Sequence, residues 1–148
     1  MLEQAREILL AKGLVRKIVI GAVNANTGEY AIFNEHHKPY GELPTVVVAS
    51  ASVPFVFPPA HLVDGETYID GGVAYNTNLI GAADRCLEEV EDDSQIIMDV
   101  MMCDHVGKLD NFKDTGSAYA NYMRNWSINS YYAQVRDISQ FMRERPNI

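Results

Sequence analysis

The chain has 148 residues, of which 47% are hydrophobic, so it is long enough to form one domain with a hydrophobic core. Its formal charge of −8 argues against nucleic-acid binding, which requires a basic surface, and it disfavours attraction to an anionic membrane. No apolar run approaches the roughly 20 residues of a membrane span, and charged residues interrupt any signal peptide near the amino terminus. We therefore expect no transmembrane segment, and a location in the cytoplasm or at the periphery of an intracellular membrane.

The first third of the chain predicts a helix followed by two strands. Residues 2–12 have amphipathic helical spacing, and Gly13 is placed to end the helix. Residues 17–23 form a β-branched, apolar run, and residues 29–34 alternate as a strand does. The residues between them, 24–28, read Asn-Ala-Asn-Thr-Gly, which is turn chemistry. This segment is therefore predicted to be a strand–turn–strand unit.

The middle of the chain contains one ambiguous segment and one clear hairpin. Residues 44–52 fit a strand through their valines and a short helix through Pro44 and their alanines, and the pattern leaves both open. The Asp64-Gly65 turn predicts a hairpin between residues 61–63 and 66–69. That hairpin places Asp70 at its end.

The second half predicts a helix, a strand and a longer helix. Asn78 can cap a helix that continues to Val90, and residues 95–102 read as a buried strand. Residues 113–143 predict a long helix, packed on the domain or following it, whose aromatic side chains are expected in the core. Strands alternating with helices favour the α/β class, with a layered sheet that carries helices on its faces.

The two cysteines, Cys86 and Cys103, lie in segments predicted to be buried, and we expect reduced thiols, although the sequence leaves a disulfide open. Cys103 and His105 are too few ligands for a metal site, so no metal is expected.

The sequence Asp70-Gly71-Gly72 is the strongest chemical motif in the chain. An isolated Asp-Gly-Gly is often only a turn after a strand. A carboxylate at the end of a buried strand can instead serve as a general base, because the following glycines let the backbone turn sharply and approach a ligand closely.

Three blocks in order give the chain a resemblance to a known family. They are the strand–turn–strand unit with Asn-Thr-Gly, an Ala-Ser-x-x-x-Pro block running into Phe-Pro-Pro (residues 49–59), and Asp-Gly-Gly followed by Asn76. Together they resemble the patatin-like phospholipases, which are lipid acyl hydrolases. The resemblance covers about residues 1–90.

The resemblance implies a fold, a substrate class and a mechanism. It implies an α/β/α sandwich of the patatin type, incomplete at its amino-terminal side, so that residues 1–148 would be one partial domain. It implies a Ser–Asp dyad acting on glycerolipid esters without a cofactor, in which Asp70 is the proton acceptor. Gly71 and Gly72 would shape the turn, and Asn76 would orient it.

The chain departs from the family at the nucleophile. No Gly-x-Ser-x-Gly occurs in the sequence, and Asn78 stands where many relatives carry proline. The family mechanism therefore needs a serine that this sequence does not supply, and whether the chain is itself an enzyme stays open. One alternative is a non-catalytic remnant that binds lipid or protein. Another is a small esterase that uses Ser50 or Ser52, neither of which lies on a glycine-flanked turn.

Overall fold

The computed structural model describes residues 1–102, 109, 111–113 and 115–148. Its helices are α1 (Leu2–Lys12), α2 (Leu43–Ser50), α3 (Leu79–Cys86) and α4 (Ala118–Glu144). Its strands are β1 (Val19–Asn24), β2 (Tyr30–Asn34), β3 (Ala60–His61) and β4 (Thr67–Asp70).

The described strands form one small antiparallel sheet in the order β2-β1-β4-β3. Both predicted hairpins are present, because their turns contain Gly28 and Gly65 in the left-handed region, with φ of 79° and 83°. The register pairs Ala22 of β1 with Asp70 of β4, which fixes the carboxylate at the end of the sheet. Helices and a sheet are compatible with the α/β class.

The ambiguous segment is a helix. Pro44 lies in the first turn of α2, where its missing N–H costs no hydrogen bond. Val46 and Ala49 of α2 are fully buried against the sheet, in a cluster with four residues of the strands and hairpin (Ala22, Phe33, Leu62 and Tyr68). A second cluster joins α3 to α4 through Leu79, Ala83 and Phe141.

Helix α1 has the predicted bounds, and Gly13 follows it with a φ of 69°. None of its residues is buried within the described structure. Its apolar side borders a 400 Å³ groove, here called the amino-terminal groove. The groove is lined by Met1, Leu2, Ala5, Leu9, Leu14, Ile18, Ile20, Leu43, Pro44, Val47 and Val48.

The predicted buried strand at residues 95–102 is wrong. A 3₁₀ turn covers Asp93–Gln95, and the following residues are irregular, with Ile97 and Met101 each 93% exposed. An apolar run forms a strand only where a sheet edge can pair with its backbone, and these residues pair with none of the four described strands.

Two further predictions for the second half need correction. Asn78 caps α3 as expected, accepting a hydrogen bond from the Gly81 N–H at 2.9 Å, but the helix ends at Cys86 rather than Val90. Cys86 is exposed, not buried, and it is a free thiol. The prediction for Cys103 and its neighbour His105 falls outside the described residues.

Helix α4 begins at Ala118, five residues later than the predicted start, and extends to Glu144. Its aromatic side chains are mostly outside the core, with Tyr119, Tyr122, Trp126 and Tyr132 all exposed. The residues of α4 that are buried are Gln134, Asp137 and Phe141. In the described part of the chain, no helix combines the length and apolarity needed to cross a membrane.

Candidate active site

Asp70 is held at the end of β4 by contacts on both sides of its backbone. Its N–H donates to the carbonyl of Ser52 at 3.0 Å, which ties the strand end to the segment following α2. Its carboxylate oxygen Oδ1 accepts the N–H of Gly72 at 2.6 Å, so the side chain folds back over a 3₁₀ turn formed by residues 71–73. The carboxylate is half-buried.

The two glycines after Asp70 both lie in close contact with other atoms. A Cβ at position 71 would lie 2.7 Å from the carbonyl oxygen of Gly21, because the turn packs directly on the β1 backbone. A Cβ at position 72 would lie 2.8 Å from Oδ1 of Asp70 and 2.7 Å from Oδ1 of Asn76. The absence of side chains therefore lets the turn contact the sheet and lets both polar side chains meet over Gly72.

Asp70 opens into a 490 Å³ cavity, here called the Asp70 cavity. The wall includes the three other predicted site residues, so the structure brings Asp70, Gly71, Gly72 and Asn76 to one place. It also includes Ser50, from the end of α2. The remaining lining residues are Val19, Ile20, Gly21, Tyr30, Val47, Ala51, Tyr75, Asn78 and Ala82.

The two serines considered as alternative nucleophiles differ in their surroundings. Ser52 is only 2% exposed, and its hydroxyl donates to the Val48 carbonyl at 2.8 Å. That hydroxyl is already used and is closed to a substrate. Ser50 is half-buried and lines the Asp70 cavity, so it is the better candidate of the two.

Two tyrosines give the Asp70 cavity an aromatic wall. The rings of Tyr30 and Tyr75 meet edge to face with centroids 6.1 Å apart. Burial raises the pKa of both phenols, and the nearby carboxylate of Asp137 raises it further. Both side chains therefore remain neutral hydrogen-bond donors at neutral pH.

Asp137 of α4 is a site residue that the sequence did not reveal. It is 2% exposed, and its Oδ2 accepts the N–H groups of Asn76 at 3.0 Å and Thr77 at 3.2 Å. It thereby holds the segment that follows the Asp-Gly-Gly turn. A single aspartate in a polar helix is usually a surface residue. The only indication that Asp137 is buried is its position four residues, about one helical turn, before Phe141.

A cleft of 160 Å³ extends from Asp70 to α4. Here called the connecting cleft, it is lined by Val53, Pro54, Asp70, Gly72, Val73, Asn76, Trp126 and Ser130. The site therefore has two openings that share the Asp70 carboxylate.

Comparison with protein-family models gives a match over the first part of the chain. The family model for patatin-like phospholipase matches residues 3–83, which is more than half of the chain. The matched residues include α1 from its second residue, the whole described sheet and the Asp-Gly-Gly turn, whereas α4 lies outside them. No curated protein matches the chain significantly.

Proposed function

The chain belongs to the patatin-like phospholipase family, and from this premise we propose that it supplies Asp70 as the proton acceptor of a Ser–Asp dyad that hydrolyses glycerolipid esters. Membership in this family supports lipid hydrolysis as the general function. The dyad, its residues and its place in an α/β/α sandwich are the parts that we propose. The site would operate without a cofactor, in the cytoplasm or at the surface of an intracellular membrane.

The position of Asp70 is the main observation that supports this proposal. The carboxylate lies at the end of a strand, is fixed by the Gly72 N–H, and faces the Asp70 cavity. A half-buried carboxylate of this kind can take a proton from a hydroxyl that enters the cavity, and a more desolvated carboxylate would be a stronger base. Gly71 and Asn76 would keep it in place, the first by contact with β1 and the second beside Gly72.

The nucleophile in this proposal lies on a Gly-x-Ser-x-Gly turn that the present sequence does not contain. In that arrangement the serine oxygen attacks the ester carbonyl carbon while its proton passes to Asp70. As the tetrahedral intermediate collapses, the C–O bond to the leaving group breaks and Asp70 passes its proton to that oxygen, so the alcohol departs. Asp70 then takes a proton from water, whose oxygen attacks the acyl carbon, and that proton returns to the serine oxygen as the fatty acid leaves. A glycine-rich loop would stabilise the oxyanion through backbone N–H groups.

The first experiment is to sequence the transcript upstream of the codon for Met1. An in-frame glycine-rich loop and Gly-x-Ser-x-Gly would allow the extended protein to be expressed with and without Asp70→Asn. We expect hydrolysis of a monoacylglycerol to fall by about 10²–10⁴-fold in the variant, the usual contribution of a general base. Retained turnover in a folded Asp70→Asn protein would refute the assignment.

Two other functions have specific observations in their favour. The absence of Gly-x-Ser-x-Gly and the uncovered amino-terminal groove favour a non-catalytic module that binds lipid or protein. A transcript that begins at Met1 would support that function. The position of Ser50 in the Asp70 cavity favours a small esterase, which predicts labelling of the present chain by a fluorophosphonate and loss of that label in Ser50→Ala.

A further inference from the structure

A second cavity, of 590 Å³, lies beyond the connecting cleft, between residues 53–56 and α4. We call it the aromatic groove. Its walls are largely aromatic and aliphatic side chains, and none of its described lining residues is charged. They are Val53, Pro54, Phe55, Val56, Gly72, Val73, Tyr119, Tyr122, Met123, Trp126, Asn129, Ser130 and Ala133.

The aromatic groove is continuous with the candidate active site. Trp126 and Ser130 line both the groove and the connecting cleft, and the cleft ends at Asp70. Tyr122 and Met123 line only the groove, so they lie farther from the carboxylate. An occupant would therefore meet polar groups near Asp70 and an apolar wall farther away.

Phe55 gives independent support for a binding role. It has a φ of 75°, in the left-handed region that a bulky residue rarely adopts. Its ring contacts Tyr122 across the groove, with centroids 6.3 Å apart, yet the residue remains 80% exposed. Strained backbone that gains so little burial is characteristic of ligand sites.

From these observations we propose that the aromatic groove binds the acyl chain of an uncharged lipid, with the ester directed through the connecting cleft to Asp70. This proposal deepens the function proposed above and rests on it for the role of Asp70. The apolar walls match a hydrocarbon chain, and a volume of 590 Å³ lies within the range of small-molecule sites. An uncharged lipid is favoured because the lining offers no cation for a charged headgroup, while the chain carries a net charge of −8.

Helix α4 forms more than half of the groove's described wall. The helix supplies seven of the groove's thirteen described lining residues, and it lies outside the residues that match the family model. Acyl-chain selection would then depend on side chains of α4 together with those of residues 53–56 in the matched part of the domain.

Trp126 is the only tryptophan in the sequence and is 44% exposed in the groove, so its fluorescence reports on occupancy. The present chain would be titrated with a monoacylglycerol whose stearoyl chain carries two bromine atoms, below its aggregation concentration. Bromine quenches tryptophan only at close range. We expect saturable quenching that the unbrominated monoacylglycerol does not produce. Equal fluorescence changes with both lipids would overturn the proposal.

Three valine-to-aspartate variants locate the binding. Val56→Asp places a charge in the aromatic groove, and we expect it to weaken binding at least tenfold. Val63→Asp lies outside the groove, and Val48→Asp lies in the amino-terminal groove, so both should bind as the unmodified chain does. All three valines are exposed, at 54%, 70% and 41%, so the substitutions are compatible with folding.

The opposite pattern, with binding lost in Val48→Asp and retained in Val56→Asp, would refute the inference. If Val56→Asp has an altered circular dichroism spectrum, Tyr122→Ala provides the second test of the same wall. The binding measurement requires no turnover. If no binding is measured, the proposed role of Asp70 is unaffected. If Asp70→Asn retains turnover, the proposed lipid binding in the aromatic groove is unaffected.

Discussion

Replacing Asp137 by alanine should destabilise the protein strongly, because one carboxylate oxygen accepts hydrogen bonds from two backbone N–H groups of the segment that follows the Asp-Gly-Gly turn. The N–H groups of Asn76 and Thr77 lie 3.0 Å and 3.2 Å from that oxygen, and Asp137 is 2% exposed. Arg136 Nε lies 3.8 Å from the other oxygen on a largely exposed side chain, so it contributes little.

The magnitude follows from the two donors left without a partner. Each buried, unsatisfied N–H costs roughly 1–3 kcal/mol. Removing the carboxylate also removes the free-energy cost of burying its charge, which offsets part of that loss. We expect Asp137→Ala to lower the free energy of unfolding by about 3 kcal/mol. Asp137→Asn should cost only about 1 kcal/mol, because a single amide oxygen can accept both bonds, without the charge.

Urea unfolding followed by circular dichroism at 222 nm measures these differences. With a typical slope of about 1.5 kcal/mol per molar, the midpoint of Asp137→Ala should fall by about 2 M. Asp99 is an exposed aspartate, and Asp99→Ala is the matched control, expected within about 0.5 kcal/mol of the unmodified chain. An Asp137→Ala protein as stable as the control would refute the role assigned to the carboxylate.

Two more predictions concern Tyr68 and Gly71. Burial, with help from Asp64, raises the pKa of Tyr68 to about 12, so the folded state keeps the phenol proton to higher pH than the unfolded state. The shift contributes roughly 3 kcal/mol at most to the free energy of unfolding. This contribution is fully present below pH 10 and is lost as the pH rises towards 12. Unfolding measured between pH 9 and 12 should show this loss, and Tyr68→Phe should reduce it; an equally steep loss in the variant would contradict the assignment. Gly71→Ala should cost about 1–3 kcal/mol, because its Cβ would meet the Gly21 backbone. Gly41→Ala, whose Cβ would meet the side chains of Arg6 and Leu10 rather than backbone, should be milder in the same urea experiment, and equal costs would contradict the argument.

The elements that were predictable are those encoded by short-range chemistry. The hairpin turns contain Gly28 and Gly65 at positive φ, and Gly13 ends α1 in the same way. The Asp-Gly-Gly turn belongs to this class, because both the turn and its contacts depend on the lack of side chains. This is why Asp70 could be located from the sequence.

The elements that were missed depend on long-range packing. Ile97 and Met101 belong to an apolar run that favours a strand, but strand formation depends on a neighbouring edge that the run itself does not encode. The spacing of the aromatic residues in α4 correctly predicted a helix. It did not predict which face is buried, because that face is set by contact with α3. Asp137 could not be assigned, since its partners are 60 and 61 residues away.

The division of the hydrophobic residues into two clusters has a consequence for local stability. One cluster holds α2 on the sheet and the other holds α4 on α3, and residues 71–78 connect them. Such clusters behave as cooperative units that can open separately, each with its own free energy. Asp70 therefore lies at the boundary of two such units, with its strand in one and the wall of its connecting cleft in the other. Opening of the α4 unit alone would admit a molecule as large as a lipid to the carboxylate while the sheet that carries Asp70 stays folded.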